Sequence, residues 1–273
     1  MTKQEFFKNL VMTIHGTHTN SSTPLKSVKD FIITVTLWAY YIIGFFVMFS
    51  PFYLYAFFFS PRREDAFQKL NHRLHRLFFV LLRTIVPKVK WHISDEVKTL
   101  RSSIIIANHL SFLDPILFVS LLEKQKTIVR SDYFKLPVFG WILKTSGYIP
   151  SSTEGPFAQD MFDQIKNIKE YLSGGGNLFI FPEGTRSWSG LIGPFDKGAF
   201  RIAKFCNAPI KIVLIRNTGK LFPPGKFLFN TCDKNDIAIT LAGTLEPDYE
   251  SESFTLTGLI AEAHTLMERK SAL

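Results

Sequence analysis

The run "FIITVTLWAYYIIGFFVMFSPFYLYAFFF", Phe31 to Phe59, contains no charged residue. About 20 apolar residues carry a helix across a bilayer, so this run exceeds one straight crossing. A core helix of a water-soluble protein seldom goes so far without a polar face. The run is also too long for a cleavable signal core and lacks a small-residue cleavage site. Pro51 interrupts it, and a proline removes one helical hydrogen bond and crowds the preceding turn. Two arrangements stay open: one long transmembrane helix, tilted or kinked, or two shorter helices dipping into one leaflet. The polar residues 1–30, ending "NSSTPLKSVKD", read as a short helix and a loop.

Next comes "SPRREDAFQKLNHRLHRLFFVLLRTI". Phe67, Leu70, Leu74, Leu77, Phe78, Leu81 and Ile85 recur at helical spacing, while Arg62, Arg63, Lys69, Arg73, Arg76 and Arg83 take other positions. A basic amphipathic helix over residues 62–86 fits the cytoplasmic headgroup layer, a protein core, or both at once. The formal net charge of +9 agrees with an anionic partner. Nucleic acid is the weaker choice, because the basic residues are dispersed and no finger, RRM-type or helix-turn-helix signature is present. Residues 1–60 thus read as a polar segment plus apolar membrane anchor, and 61–273 as a globular domain that opens with the basic helix.

From about Val89 short apolar runs alternate with helical ones. "KVKWHI", "SSIIIA", "KTIVRS", "YIPSS", "NLFIFPEG", "PIKIVLIR" and "DIAITLAGTL" read as strands. "PILFVSLLEK", "PVFGWILKTSG", "FAQDMFDQIKNIKEYLSGGG", "GAFRIAKFCN" and "FTLTGLIAEAHTLMERK" read as helices. The expected fold is α/β: a mixed, largely buried β-sheet flanked by helices, with an N-terminal membrane-anchoring helical segment. The two cysteines, Cys206 and Cys232, have no metal or CxxC spacing and read as idle thiols in a reducing compartment. No His/Cys/carboxylate cluster has ligand spacing, so no metal is expected.

Strand "SIIIA" ends at Asn108-His109, and the helix beyond begins near Asp114 or Pro115. His109 then lies in a strand-to-helix turn at the carboxyl end of a strand, where α/β sheets expose their sites. Five residues around such a turn suffice to bring Asp114 beside the imidazole. A carboxylate there accepts the Nδ1 proton and leaves Nε2 to take a proton from a hydroxyl. The competing reading is that Asp114 only caps the helix that continues at Pro115. "NLFIFPEGTRS", Asn177 to Ser187, ends another strand in a turn. Arg186 offers a planar fork for phosphate, Gly184 permits close backbone approach, and Glu183 can hold a guanidinium or a hydroxyl. An exposed turn with an Arg–Glu surface pair is the plainer alternative. Gly174-Gly175-Gly176 has no Lys-Ser/Thr after it and reads as a helix end.

Taken together, these stretches resemble the glycerolipid acyltransferase family. Its NHxSxxD motif is matched by Asn108, His109, Ser111 and Asp114, and its FPEGTRS motif by Phe181 to Ser187. "VRSDYFKLPVFGWILKTSGYI", "PFDKGAF" and "NAPIKIVLI" are similar to looser family patterns, so the resemblance covers roughly residues 65–245. It implies acyl transfer from acyl-CoA or acyl carrier protein to the hydroxyl of a lysophospholipid, with no cofactor. His109 would be the general base and Asp114 its orienter. Asn108, Ser111, Arg130, Glu183, Gly184, Thr185 and Arg186 would bind substrate, with Arg186 on phosphate and Arg130 standing where the family usually has Lys. The implied partners are membrane lipids, the lysophospholipid acceptor and the acyl carrier, not nucleic acid. The implied location is a bacterial inner membrane, with the catalytic domain on the cytoplasmic side. One departure bears on the acceptor: Gly147-Tyr148-Ile149 is followed by Pro150-Ser151-Ser152, where the family usually supplies an arginine. A bulkier or less charged lysolipid than a simple phosphomonoester then becomes plausible. A hydrolase using the same His109 with water, and a non-catalytic lipid-binding protein, are the alternatives.

Overall fold

The computed structural model describes residues 24–152 and 154–272. Most of the short helix expected near the amino terminus lies outside the described residues. Helix α1 spans Pro24–Ala39, so the stretch expected as a loop before Phe31 is already helical. The helix continues through Pro51 rather than breaking: a π-helical stretch, Tyr40–Phe49, leads into α2, Ser50–Phe59. The wider turn is the reason. Ser50 N–H donates to the carbonyl of Phe45, five residues back, and its hydroxyl donates to the carbonyl of Phe46. Carbonyls that the proline ring would strand or crowd are thereby moved aside or satisfied.

This long rod does not stand away from the molecule. Helix α3, Arg63–Ile85, turns back along it. Tyr40 donates to the carbonyl of Leu74 (2.7 Å), and Tyr53 donates to Asn71 Oδ1 (2.6 Å). The Asn71 amide passes on to Ser146 Oγ (2.8 Å) in the globular part. On α3, Phe67, Leu70, Leu74 and Phe78 are buried as their spacing requires, whereas Leu77 stays exposed. Gln68, Asn71, Phe79 and Leu82 are buried as well, so α3 is covered on two sides, by the rod and by the domain. Each fully buried Phe or Leu there contributes about 1.5–3 kcal/mol of hydrophobic stabilisation.

Seven strands form one sheet: β1 Val89–Ile93, β2 Ser103–Ala107, β3 Gln125–Val129, β4 Ile149–Pro150, β5 Asn177–Ile180, β6 Ile210–Arg216 and β7 Asn235–Leu245. The order is β1-β7-β6-β2-β5-β3-β4. β6, β2, β5, β3 and β4 run parallel, and β7 reverses against β6 and carries β1 parallel to itself. The expected mixed sheet is what forms. All five residues of β2 are buried. Ile105 and Ala107 enter the core that contains helix α4 (Leu113–Leu121) and α3. Ile104 and Ile106 enter the opposite core, with α6 (Ala158–Ser173), α7 (Gly198–Cys206) and α8 (Leu256–Ser271). Burial on both faces explains why the strand reads as an unbroken apolar run. Helix α5, Pro137–Thr145, closes at Gly147 (φ +70°), with Tyr148 N–H donating to the Leu143 carbonyl.

The chain leaves β2 through α4 on one face and leaves β5 through α7 on the other. The carboxyl ends of these neighbouring strands therefore part at the centre of the sheet, which is where open α/β sheets form their crevices.

Candidate active site

Asn108 ends β2 by replacing main-chain pairing with its side chain. Its Nδ2 donates to the Ile215 carbonyl (2.9 Å), and its Oδ1 accepts from Ile215 N–H (2.7 Å). This latch to β6 turns His109 out of the sheet plane. The next residues wrap around one carboxylate oxygen. Asp114 Oδ2 accepts from Leu110 N–H (2.6 Å), Ser111 N–H (2.7 Å) and His109 Nδ1 (2.9 Å). Asp114 is fully buried and lies in the first turn of α4. It therefore does more than cap a helix: it shapes the turn and holds the ring. Ser111 Oγ accepts from Leu113 N–H (3.2 Å) and donates to the Phe222 carbonyl (2.7 Å).

The His109 ring stacks on Phe181, with centroids 4.2 Å apart and planes 20° apart. With Nδ1–H assigned to the carboxylate, Nε2 is the basic nitrogen, and it has no hydrogen-bond partner among the described residues.

The FPEGTRS turn grips the backbone of the same histidine. Glu183 Oε1 accepts from His109 N–H (3.0 Å), and Ser187 N–H donates to the His109 carbonyl (2.7 Å). Glu183 Oε2 accepts from Gly193 N–H (2.9 Å). Both Glu183 oxygens are thus engaged by main chain, not by a guanidinium. Asn108 and Ser111 are buried, and their polar atoms meet protein groups. The groups left open in this turn are Gly184, Thr185 and Arg186, all exposed. Gly184 has φ +68° and nothing within 4 Å of the place a Cβ would occupy, so the turn keeps space there. Arg186 has no ion pair among the described residues, whereas Arg130, at the carboxyl end of β3, is exposed and bonded to Asp132 (3.0 Å).

Sequence reasoning did not assign the ring under His109, the Gly193 clamp or the Phe222 acceptor. Phe181 stood inside the quoted motif. The other two are backbone atoms distant in sequence.

An apolar slot opens beside the turn, between Trp38 and Tyr41 of the rod region and Phe112, Leu113 and Ile116 of the α4 start. A polar cleft of about 500 Å³ lies elsewhere, lined by Glu64, Lys124, Lys126 and Tyr171 near the amino end of β3. Its buried Lys126 is already paired with Glu64 (2.9 Å). Among the described residues no group of three or more His, Cys, Asp or Glu side chains could hold a metal.

Residues 88–216 match the family model described as Acyltransferase. The chain is 35% identical over 162 residues to a chloroplastic 1-acyl-sn-glycerol-3-phosphate acyltransferase of Brassica napus, covering 58% of this chain and 46% of that protein. A chloroplastic protein of the same name from Arabidopsis thaliana is 32% identical over 199 residues, covering 71% of this chain and 52% of the relative. The chain therefore spans about half the length of these curated relatives. The crystal structure of the 1-acyl-sn-glycerophosphate acyltransferase PlsC from Thermotoga maritima superposes with a TM-score of 0.69 at 19% identity, over 90% of this chain and 96% of that one. That likeness establishes the shared fold. Over residues 88–216, the chain is an Acyltransferase-family domain.

Proposed function

We propose that the protein is a membrane-associated O-acyltransferase that moves a fatty acyl group from an acyl thioester to the free hydroxyl of a lysophospholipid. The thioester is acyl-CoA or acyl-carrier protein, and the acceptor is 1-acyl-glycerol-3-phosphate or a related lysolipid. The carrying observation is the His109–Asp114 pair with Nε2 open, on a turn fixed at both backbone ends by the loop that presents Arg186.

In the reaction, His109 Nε2 takes the acceptor hydroxyl proton as the oxygen attacks the thioester carbonyl carbon. Asp114 holds the imidazolium that forms. Collapse of the tetrahedral intermediate breaks the C–S bond, and the leaving sulfur receives the proton from Nε2. No enzyme nucleophile is needed, because the acceptor oxygen is the nucleophile. Arg186, without an ion pair among the described residues, suits the acceptor phosphate. Thr185 and Gly184 border that position, with Arg130 a second cation further along the same sheet edge.

The rod supplies the membrane contact. The sequence left open one long transmembrane helix or two shorter helices dipping into one leaflet, and an unbroken helix lying in the plane of one leaflet fits better than either. Its flank is attached to the domain from Asp30, which accepts from Thr231 N–H and Oγ–H (2.8 and 2.6 Å), to Phe57, which packs on Trp141 (5.3 Å). That is about 40 Å of helix at 1.5 Å per residue. A helix bound to a charged domain over that length does not fit upright within about 30 Å of hydrocarbon. Its other face exposes Ile43, Val47, Phe52, Tyr55, Phe58 and Phe59, enough apolar surface to lie in one leaflet. The basic residues of α3 favour an anionic cytoplasmic leaflet. A bacterial inner membrane, the location the family resemblance implies, would provide one.

The test is a lysolipid acceptor panel with one acyl-CoA and one acyl-carrier protein. Purified His109→Ala should lose acyl transfer while still floating with vesicles. Wild-type turnover in that variant would refute the base assignment, and free fatty acid as the main product in the presence of acceptor would replace transfer with hydrolysis.

A further inference from the structure

The two most exposed large apolar side chains among the described residues are not on the rod. They are Trp188, 77% exposed, and Leu191, 74% exposed, on the loop that follows Arg186. The loop is built to present them. Ser187 Oγ–H donates to the Leu191 carbonyl (2.7 Å), Ser189 Oγ accepts from Leu191 N–H (3.3 Å), and Gly190 turns at φ +79°. Such a closed turn holds both side chains outward instead of letting them fold onto the core.

The loop is also continuous with the rod. The Trp188 ring edge lies against Gly225, so close that a Cβ there would meet it at 2.6 Å. Two residues on, Phe227 stacks on Trp38 of α1, with centroids 6.2 Å apart and planes 11° apart. An aromatic line thus leads from the rod, over the 222–230 segment, to the loop after Arg186. Further exposed apolar side chains, Phe112 after β2 and Tyr133, Leu136 and Phe139 after β3, also follow carboxyl ends of parallel strands.

We infer that the Trp188–Leu191 loop is a second membrane contact, which inserts its indole and leucine into the same leaflet as the rod and sets Arg186 at the level of the lipid phosphates. The occupant of this surface is an anionic lipid interface. A tryptophan settles where apolar and polar layers meet, and an arginine two residues away reaches the phosphate layer. The overall charge of +9 complements anionic headgroups. The inference rests on the in-plane reading of the rod and adds to it that the domain's own active-site loop enters the bilayer.

The test uses the full chain in vesicles of phosphatidylcholine and phosphatidylglycerol, with and without brominated acyl chains. The emission difference between the wild type and Trp188→Phe isolates this indole from Trp38, Trp91 and Trp141. Expected is a Trp188 signal that is strongly quenched by the bromines and spared by aqueous iodide. A Trp188 signal quenched by iodide and untouched by bromines, in a chain that still floats with the vesicles, overturns the inference and leaves the rod reading standing. A chain that does not float overturns both. In activity, Trp188→Ser combined with Leu191→Ser should raise KM for a long-chain lysolipid held in vesicles about tenfold, equivalent to about 1.4 kcal/mol. Turnover of a short-chain, water-soluble lysolipid should be unchanged. Equal losses against both acceptors would show a local folding defect and count against insertion.

Discussion

Replacing Asp114 with Asn separates the charge of the orienting group from its geometry. Leu110 and Ser111 both aim N–H groups at Asp114 Oδ2, at 2.6 and 2.7 Å. An asparagine amide must therefore turn its oxygen toward them, because its nitrogen there would set donor against donor. The same oxygen still accepts from His109 Nδ1, so the tautomer and ring position survive. Lost is the negative charge beside the imidazolium that forms during transfer. Opposite charges about 4 Å apart at an effective dielectric of about 20 attract by about 4 kcal/mol. At about 1.4 kcal/mol per decade, kcat should fall about a thousandfold. The amide nitrogen then occupies the place of Oδ1, which has no partner among the described residues, and an unpaired buried donor costs about 1–3 kcal/mol of stability. The melting midpoint should drop by about 2–4 °C for each of those kcal/mol. The assay is kcat at saturating donor and acceptor, beside a melting curve in the same detergent. A folded Asp114→Asn enzyme within tenfold of wild-type kcat would refute the reasoning.

Arg186→Ala should raise KM for a phosphorylated acceptor about 10- to 150-fold, the equivalent of about 1.5–3 kcal/mol, while the donor KM stays nearly constant. Arg130→Ala should do less in the same assay, since Arg130 already bonds Asp132. Glu183→Gln keeps one amide oxygen for two backbone donors, so the melting midpoint should fall and kcat should fall with it. A kcat loss in a protein that melts like the wild type would instead make Glu183 a substrate ligand. His75 is held down at about 4 by burial and by neighbouring His72, against a raising hydrogen bond to the Asn71 carbonyl. The folded state keeps it neutral, so its stabilisation is complete above pH 6.5 and is lost as pH falls from about 6.5 toward 4, by at most about 3 kcal/mol. His75→Gln should flatten the melting midpoint over that range, and an unchanged slope would assign the acid sensitivity elsewhere.

Strand-and-helix order was legible because β2 and β5 are sealed on both faces and the middle of β6 is too, and such strands consist largely of Ile, Leu, Val and Phe. The His109–Asp114 pair was legible because both residues belong to one turn, so spacing alone brought them together. Glu183 shows where such reading stops. Its chemistry marked it as a ligand group, but its partners are the N–H groups of His109 and Gly193, and a main-chain donor leaves no trace in residue identity. The rod shows the same limit from another side. Pro51 signalled a break, yet the i→i−5 turn before it absorbs the missing N–H. The charge-free run also drew attention away from Asp30, one residue upstream, where a buried carboxylate fastens the helix to Thr231.

The ties between Tyr53, Asn71 and Ser146 make the apolar arm a poor candidate for surgery. Trimming a membrane tether is a common route to a water-soluble catalytic fragment, and here residues up to 60 look like the obvious piece to cut. Removing them would bare Phe67, Leu74 and Phe78, strip the Tyr53 donor from Asn71 Oδ1 and unseat the 229–231 segment. What remained would be sticky and loosened beside the very histidine it was meant to display. Solubilisation is better sought by placing polar side chains on the rod's outer face, at Val47, Phe52 or Phe58, with its inner face left whole.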